Sequence, residues 1–136
     1  MLDTNLLNSE VAIIEDMPAV RQNLKTILEK IGFKKIATFP DGKDAIDKIR
    51  CDYPPYKLIF CDVQMPELDG VGFVELLRAI DEYQDTIVIM VSTDNEKDTV
   101  MDAVFAGANA YIIKPFEMAI ISQKIISLIS DVRKQA

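Results

Sequence analysis

Five residues in this chain have types and spacings that could do chemistry together: Glu15, Asp16, Asp62, Ser92 and Lys114. Two carboxylates about 5 Å apart repel by roughly 3 kcal/mol at an effective dielectric near 20. Three carboxylates in one cleft therefore need protonation or a cation. Every donor among them is a hard oxygen, which suits Mg²⁺ better than zinc or copper. Each residue alone has a plainer use. An acid at a strand end serves as a helix cap or a solvated turn, Lys114 as a counter-ion, and Ser92 as a turn hydroxyl. Taken jointly, Lys114 becomes a clamp for an anionic group and Ser92 a donor to a phosphoryl oxygen. The chain contains no histidine. That excludes an imidazole base, a Ser-His triad, a His metal ligand and a phosphohistidine of its own.

Composition bounds what can hold these groups in place. The length of 136 residues fits one domain at about 100–200 residues per domain. A chain of this size buries about two-thirds of its unfolded surface, so neither a disulfide nor a structural metal is needed. The apolar fraction of 49% and charged fraction of 27% exclude wholesale disorder. Fifteen basic against twenty-two acidic side chains give 15 − 22 = −7, which disfavours nonspecific nucleic-acid binding and attraction to anionic membrane. Cys51 and Cys61 have no Cys-x-x-Cys spacing, so a reducing, cytoplasmic setting is expected. The amino end carries Asp3 and Glu10 without a long apolar stretch, so it does not read as a signal peptide. No apolar run approaches the roughly 18 residues that membrane insertion requires.

Apolar runs of strand length recur at Val11–Ile14, Ile36–Phe39, Leu58–Cys61, Ile87–Val91 and Ala110–Ile113. Most are continuous rather than alternating, as expected of parallel strands covered on both faces. Helical periodicity links Val20, Leu24, Ile27, Leu28 and Ile31. It links Phe73, Leu76, Leu77 and Ile80, then Val100, Val104 and Phe105, then Met118, Ile121, Ile125, Leu128 and Val132. Asp16 can cap the first helix, with Pro18 in its first turn and Gly32 at its end. Asp41-Gly42 and Asp69-Gly70 are turn pairs before helical segments. Asn95-Glu96 can open the fourth helix and Gly107 can close it. Residues 1–9 read as a frayed lead-in.

Five strand–helix units joined by right-handed crossovers make an open α/β sheet with helices on both faces. Open sheets of this kind bind ligands beyond the carboxyl ends of their strands. Strand one runs into Glu15-Asp16, strand three into Asp62, strand four into Ser92-Thr93-Asp94 and strand five into Lys114-Pro115. Strand two ends on Phe39-Pro40 and is placed at the edge, giving the order 2-1-3-4-5. Adjacent strand residues face opposite ways, so Glu15 and Asp16 converge only if the chain bends after them, and Pro18 favours a bend. Cys61 should point away from Asp62 into the core. Ile113-Lys114-Pro115 allows a cis bond that would direct the lysine.

Ile14-Glu15-Asp16, Cys61-Asp62-Val63-Gln64-Met65-Pro66, Asp69-Gly70, Val91-Ser92-Thr93 and Ile113-Lys114-Pro115-Phe116 resemble, in order and position, the receiver domain of two-component response regulators. The similarity is greatest to single-domain, chemotaxis-type receivers and spans residues 10–132. It implies a flavodoxin-like doubly wound sheet of five parallel strands and five helices, with the domain at residues 10–134. It implies that Asp62 is the phosphoacceptor and that Glu15, Asp16, Asp62 and the backbone carbonyl of Gln64 hold Mg²⁺. Ser92 and Lys114 would bind the phosphoryl group. Tyr111 would be an aromatic switch that turns inward on activation. Gln64, Thr93 and Asp94 would tune rates, with Thr93 bulkier than the small residue common at its position.

The implied function is a phosphorylation-controlled switch fed by a sensor histidine kinase or phosphotransfer protein. It is a regulatory phosphoacceptor rather than an enzyme, with self-phosphorylation from a donor and autodephosphorylation expected. The face built from the fourth helix, fifth strand and fifth helix would control an output protein or domain. Three rivals are a degenerate receiver used only for docking, a haloacid-dehalogenase-type phosphatase and a flavodoxin-like FMN-binding module. The phosphatase needs a second Asp where this chain has Gln64. A flavodoxin-like FMN module needs a phosphate-cradling loop where this chain has Glu15-Asp16-Met17-Pro18. The fifth helix carries Ile120, Ile126 and Ile129 beyond its core stripe, flanked by Asp131 and Lys134. These isoleucines either widen the core or form an exposed strip for a phosphorylation-dependent dimer or a downstream partner.

Overall fold

The computed structural model describes residue 2, residues 4–51 and residues 55–135, with side chains through residue 130. Five parallel strands, β1 (Glu10–Ile14), β2 (Lys35–Phe39), β3 (Leu58–Asp62), β4 (Ile87–Ser92) and β5 (Ala110–Ile113), form one sheet in the order β2-β1-β3-β4-β5. The order and the continuous apolar strands agree with the sequence reading. Alternate residues of each strand serve opposite layers. Ala12, Ile14, Ile59, Cys61, Val88 and Met90 face one core, while Val11, Ile13, Leu58, Phe60, Ile89 and Val91 face the other.

The five expected helices are α2 (Pro18–Ile31), α3 (Gly42–Ile49), α4 (Gly70–Arg78), α5 (Lys97–Ala106) and α6 (Met118–Gln135). α2 and α6 cover the second core through Leu24, Leu28, Ile121 and Ile125. α3, α4 and α5 cover the first through Ala45, Ile46, Phe73, Leu77 and Ala103. Helices on both faces are the outcome that right-handed crossovers require. Among the described residues, no helix is long and apolar enough to cross a membrane.

The caps follow the sequence in most places. Pro18 occupies the first turn of α2, and Gly32 closes that helix at φ 124°. The side chains of Asp41 and Asp69 accept the N–H groups of Asp44 and Gly72, each at 2.8 Å. Gly107 closes α5 at φ 120°. Asp16 is a correction: the residue before α2 is Met17, with no side-chain cap, and a carboxylate oxygen of Asp16 lies within 4.8 Å of those of Glu15 and Asp62. The lead-in also differs from a frayed segment. Thr4–Leu7 forms a single helical turn, α1, whose Leu6 and Leu7 pack on the second core.

The apolar stripe expected on the fourth helix is overturned. Val104 is 50% and Phe105 79% exposed, and only Ala103 of α5 is buried. Periodicity finds which apolar residues share a face, but α5 lies close to the sheet through small alanines and turns its large side chains out. Leu76 of α4 is likewise exposed.

Candidate functional site

The parallel register brings the expected groups to one edge. Ile14 pairs with Cys61, Asp62 with Val91, and Ser92 with Ile113. The ladder runs on past the strand ends, where Lys114 N–H donates to the Ser92 carbonyl at 2.8 Å. Glu15, Asp62, Ser92 and Lys114 therefore stand side by side at the carboxyl end of the sheet. The peptide between Lys114 and Pro115 is cis.

Glu15, 2% exposed, and Asp62, 6% exposed, are buried, whereas Asp16 is exposed. One carboxylate oxygen of each lies within 4.8 Å of the other two. The bend after β1 that this needs is stabilised from both sides. Met17 N–H donates to Glu15 Oε2 at 3.2 Å, and Arg21 Nη1 donates to the Glu15 carbonyl at 2.8 Å. Arg21 was missed by the sequence reading. Nothing in its spacing separates it from an ordinary polar position on a helix.

Lys114 bridges the two buried acids, with Nζ 2.6 Å from Glu15 Oε1 and 3.4 Å from Asp62 Oδ2. Glu15 is raised from 4.5 to about 7, chiefly by burial, with the Lys114 hydrogen bond working against the rise and the neighbouring Asp62 adding to it. Burial would lower the Lys114 ammonium, but the bond to Glu15 and the charge of Asp62 outweigh it and raise that group. Asp62 Oδ1 accepts Gln64 N–H at 3.2 Å. Asp62 opens to a cleft of about 640 Å³ lined also by Asp16, Met17, Gln64, Thr93 and Lys114. Cys61 faces the core, and burial pushes its thiol up.

Ser92 is fully buried, and its Oγ accepts Asp94 N–H at 3.0 Å. The Tyr111 hydroxyl donates to the Asp94 carbonyl at 2.7 Å, and its ring packs on the first core. The sequence reading expects an exposed ring before activation. Here the ring is half-buried and tied to the loop, because β5 lies beside β4 and the hydroxyl finds a carbonyl within reach. Burial pushes the phenol up.

Three hard carboxylates in a cleft fit Mg²⁺, because a small oxygen-seeking dication relieves their repulsion without needing a softer ligand. Asp62 and Lys114 line the same cleft, and the fully buried Ser92 ends the neighbouring strand β4. A family model described as the response regulator receiver domain matches residues 11–126, and the chain belongs to that family of two-component signalling domains. Chemotaxis protein CheY1 of Helicobacter pylori strain J99 is 28% identical over 116 residues, covering 85% of this chain and 93% of that protein. A chemotaxis protein CheY homolog of Campylobacter jejuni is 30% identical, covering 85% of this chain and 88% of its own length. The structure of a CheX-CheY-BeF3-Mg²⁺ complex from Borrelia burgdorferi superposes with a TM-score of 0.82 at 29% identity, covering 89% of each chain.

Proposed function

We propose that this chain is a phosphorylation-controlled switch in which Asp62 accepts a phosphoryl group from a phosphohistidine on a sensor histidine kinase or phosphotransfer protein. The observation that carries this is Asp62 itself. It is buried at the end of β3, 3.4 Å from Lys114 Nζ, and still open to the cleft. A carboxylate oxygen of Asp62 attacks phosphorus in line. The P–O bond forms as the bond to the donor imidazole breaks, and the imidazole leaves with that electron pair. Lys114 neutralises an equatorial oxygen, and Ser92 donates its hydroxyl proton to another. Glu15, Asp16, Asp62 and the carbonyl of Gln64 would hold Mg²⁺. The ion would supply charge neutralisation at the phosphoryl oxygens.

Within this reading, residues 10–134 form the receiver unit and Gln64 and Thr93 at the cleft mouth tune access to Asp62. Movement at Ser92 and Tyr111 reshapes the α5–β5–α6 face for an output partner, an output domain or a second copy. The relative holding both BeF3 and Mg²⁺ supports the pairing of phosphoryl mimic and metal. The test is acetyl phosphate with Mg²⁺ followed by intact mass. The parent should gain one phosphoryl group and Asp62→Asn none. Equal labelling of Asp62→Asn rejects the assignment.

A further inference from the structure

Each polar group of Glu15 is engaged, and by a different part of the chain. Its N–H donates to the Phe39 carbonyl at 3.1 Å, and Oε2 accepts from Met17 N–H at 3.2 Å. Oε1 accepts from Lys114 Nζ at 2.6 Å. The Glu15 carbonyl lies just past the end of β1 and accepts from Arg21 Nη1 at 2.8 Å. Glu15 is buried, so this carbonyl would be an orphaned acceptor without the guanidinium, and such groups are costly. The backbone of the same arginine holds the next part of the bend, where Arg21 N–H donates to the Met17 carbonyl at 2.9 Å. One half-buried residue of α2 therefore grips the carbonyls on either side of Asp16.

A peptide group is planar, so fixing the Glu15 carbonyl fixes the plane of the Glu15–Asp16 peptide and the direction in which Asp16 leaves the strand. Asp16 is exposed, so the backbone that carries it, more than packing, sets where its carboxylate stands. We propose that Arg21 is the positioning residue for Asp16. Its two bonds keep the Asp16 carboxylate beside Glu15 and Asp62, where one oxygen of each lies within 4.8 Å of the other two. The inference rests on the Mg²⁺ site of the switch reading above, and it adds a residue that acts on that site only through the backbone of the bend. The sign of the effect separates this role from plain electrostatics. A guanidinium close to an acid cluster repels a dication, so removing its charge alone would tighten Mg²⁺ binding. Removing the positioning bond weakens it.

The experiment is calorimetric titration of the whole chain with Mg²⁺, beside urea unfolding of the same proteins. Arg21→Met keeps much of the apolar stem and Arg21→Ala favours the helix. Both lose the donor, and both should bind Mg²⁺ roughly three- to tenfold more weakly than the parent. Arg21→Lys retains a donor and should recover part of that loss. In an Asp16→Asn background, Arg21→Met should cause no further loss, because two residues acting through one contact are not additive. Arg21→Met binding Mg²⁺ as tightly as the parent, or more tightly, overturns the positioning role. It does so even with a lowered urea midpoint, which would make Arg21 a structural brace alone. An equal fold-loss in the Asp16→Asn background overturns it too. A parent chain that binds no Mg²⁺ overturns the metal site of the switch reading, and the inference with it.

Discussion

Glu15 carries the electrostatic cost of the site in the absence of metal. Burial beside Asp62 raises its carboxyl from 4.5 to about 7 even with Lys114 at 2.6 Å. A group whose folded pKa lies above its unfolded value adds stability that is fully present below the unfolded value. That stability is lost as pH rises through the folded value. In EDTA, the parent should therefore lose stability between about pH 4.5 and pH 7, by at most about 3 kcal/mol. Lys114 is also raised, but its contribution is lost only in strong alkali, outside this window. Glu15→Gln removes the titration and one repelling charge. Its urea midpoint should exceed the parent's at pH 7.5 and converge on it near pH 4.5. Parallel pH profiles for the two proteins would show that Glu15 does not carry the cost.

At the scale of the elements, the end of β3 and the start of α4 are packed backbone to backbone. The Asp69-Gly70 pair reads in sequence as a turn, yet the glycine is needed for close approach. A Cβ at Gly70 would strike the Asp62 carbonyl oxygen, with Met90 Cε at 2.7 Å and Val63 Cα at 2.8 Å. Gly70 N–H meanwhile donates to the Val63 carbonyl at 2.8 Å, so the helix cannot back away without losing that bond. Gly70→Ala should cost about 1–3 kcal/mol in denaturant unfolding, and the strain falls on the strand end that presents Asp62. A change below about 0.5 kcal/mol, the size of an ordinary surface substitution, would contradict this packing. At the other end of α4, Arg78 donates to the carbonyls of Gly107 and Tyr83 at 2.8 and 2.6 Å and to Asn109 Oδ1 at 3.0 Å. The carboxyl end of α5 is thereby pinned to α4, while its amino end is held through Asp94, whose Oδ2 accepts the Thr99 hydroxyl at 2.9 Å.

Across the whole molecule, large apolar side chains stand exposed on α5, β5 and α6: Met101, Val104, Phe105, Ile113, Met118 and Ile120. The isoleucine strip expected on the last helix is divided. Ile126 is 39% exposed, whereas Ile129 packs against the second core. The side chains of Asp131, Val132 and Lys134, which the sequence reading enlisted as flanks and core, lie outside the described residues. Ile126→Ser should leave the unfolding midpoint nearly unchanged, within the roughly 0.5 kcal/mol typical of surface sites. Ile129→Ser should cost about 1–3 kcal/mol. Equal losses in denaturant titrations would mean that both residues are core. Free polar substitution at both would restore the strip as a single exposed surface.

The sequence alone determined the α/β class, the strand order and the residues gathered at the strand ends. Those features follow from local signals: continuous apolar runs, Asp and Gly punctuation, and polar residues placed directly after each run. The Asp41-Gly42 and Asp69-Gly70 pairs were legible as turns before helices, and the structure makes both aspartates N-caps, bonds that close within their own turn. What only the tertiary structure decided depends on neighbours distant in the chain. The outward face of α5, the division of Ile126 from Ile129, the close approach at Gly70 and the half-buried Tyr111 all fall in this group. So do the Arg21 and Asp94–Thr99 bonds, since Arg21 and Thr99 look like ordinary helix-surface residues until the chain bends around them. Periodicity says which side chains point the same way. How near each helix sits to the sheet, and therefore which of its faces is buried, is set by the volumes packed between them.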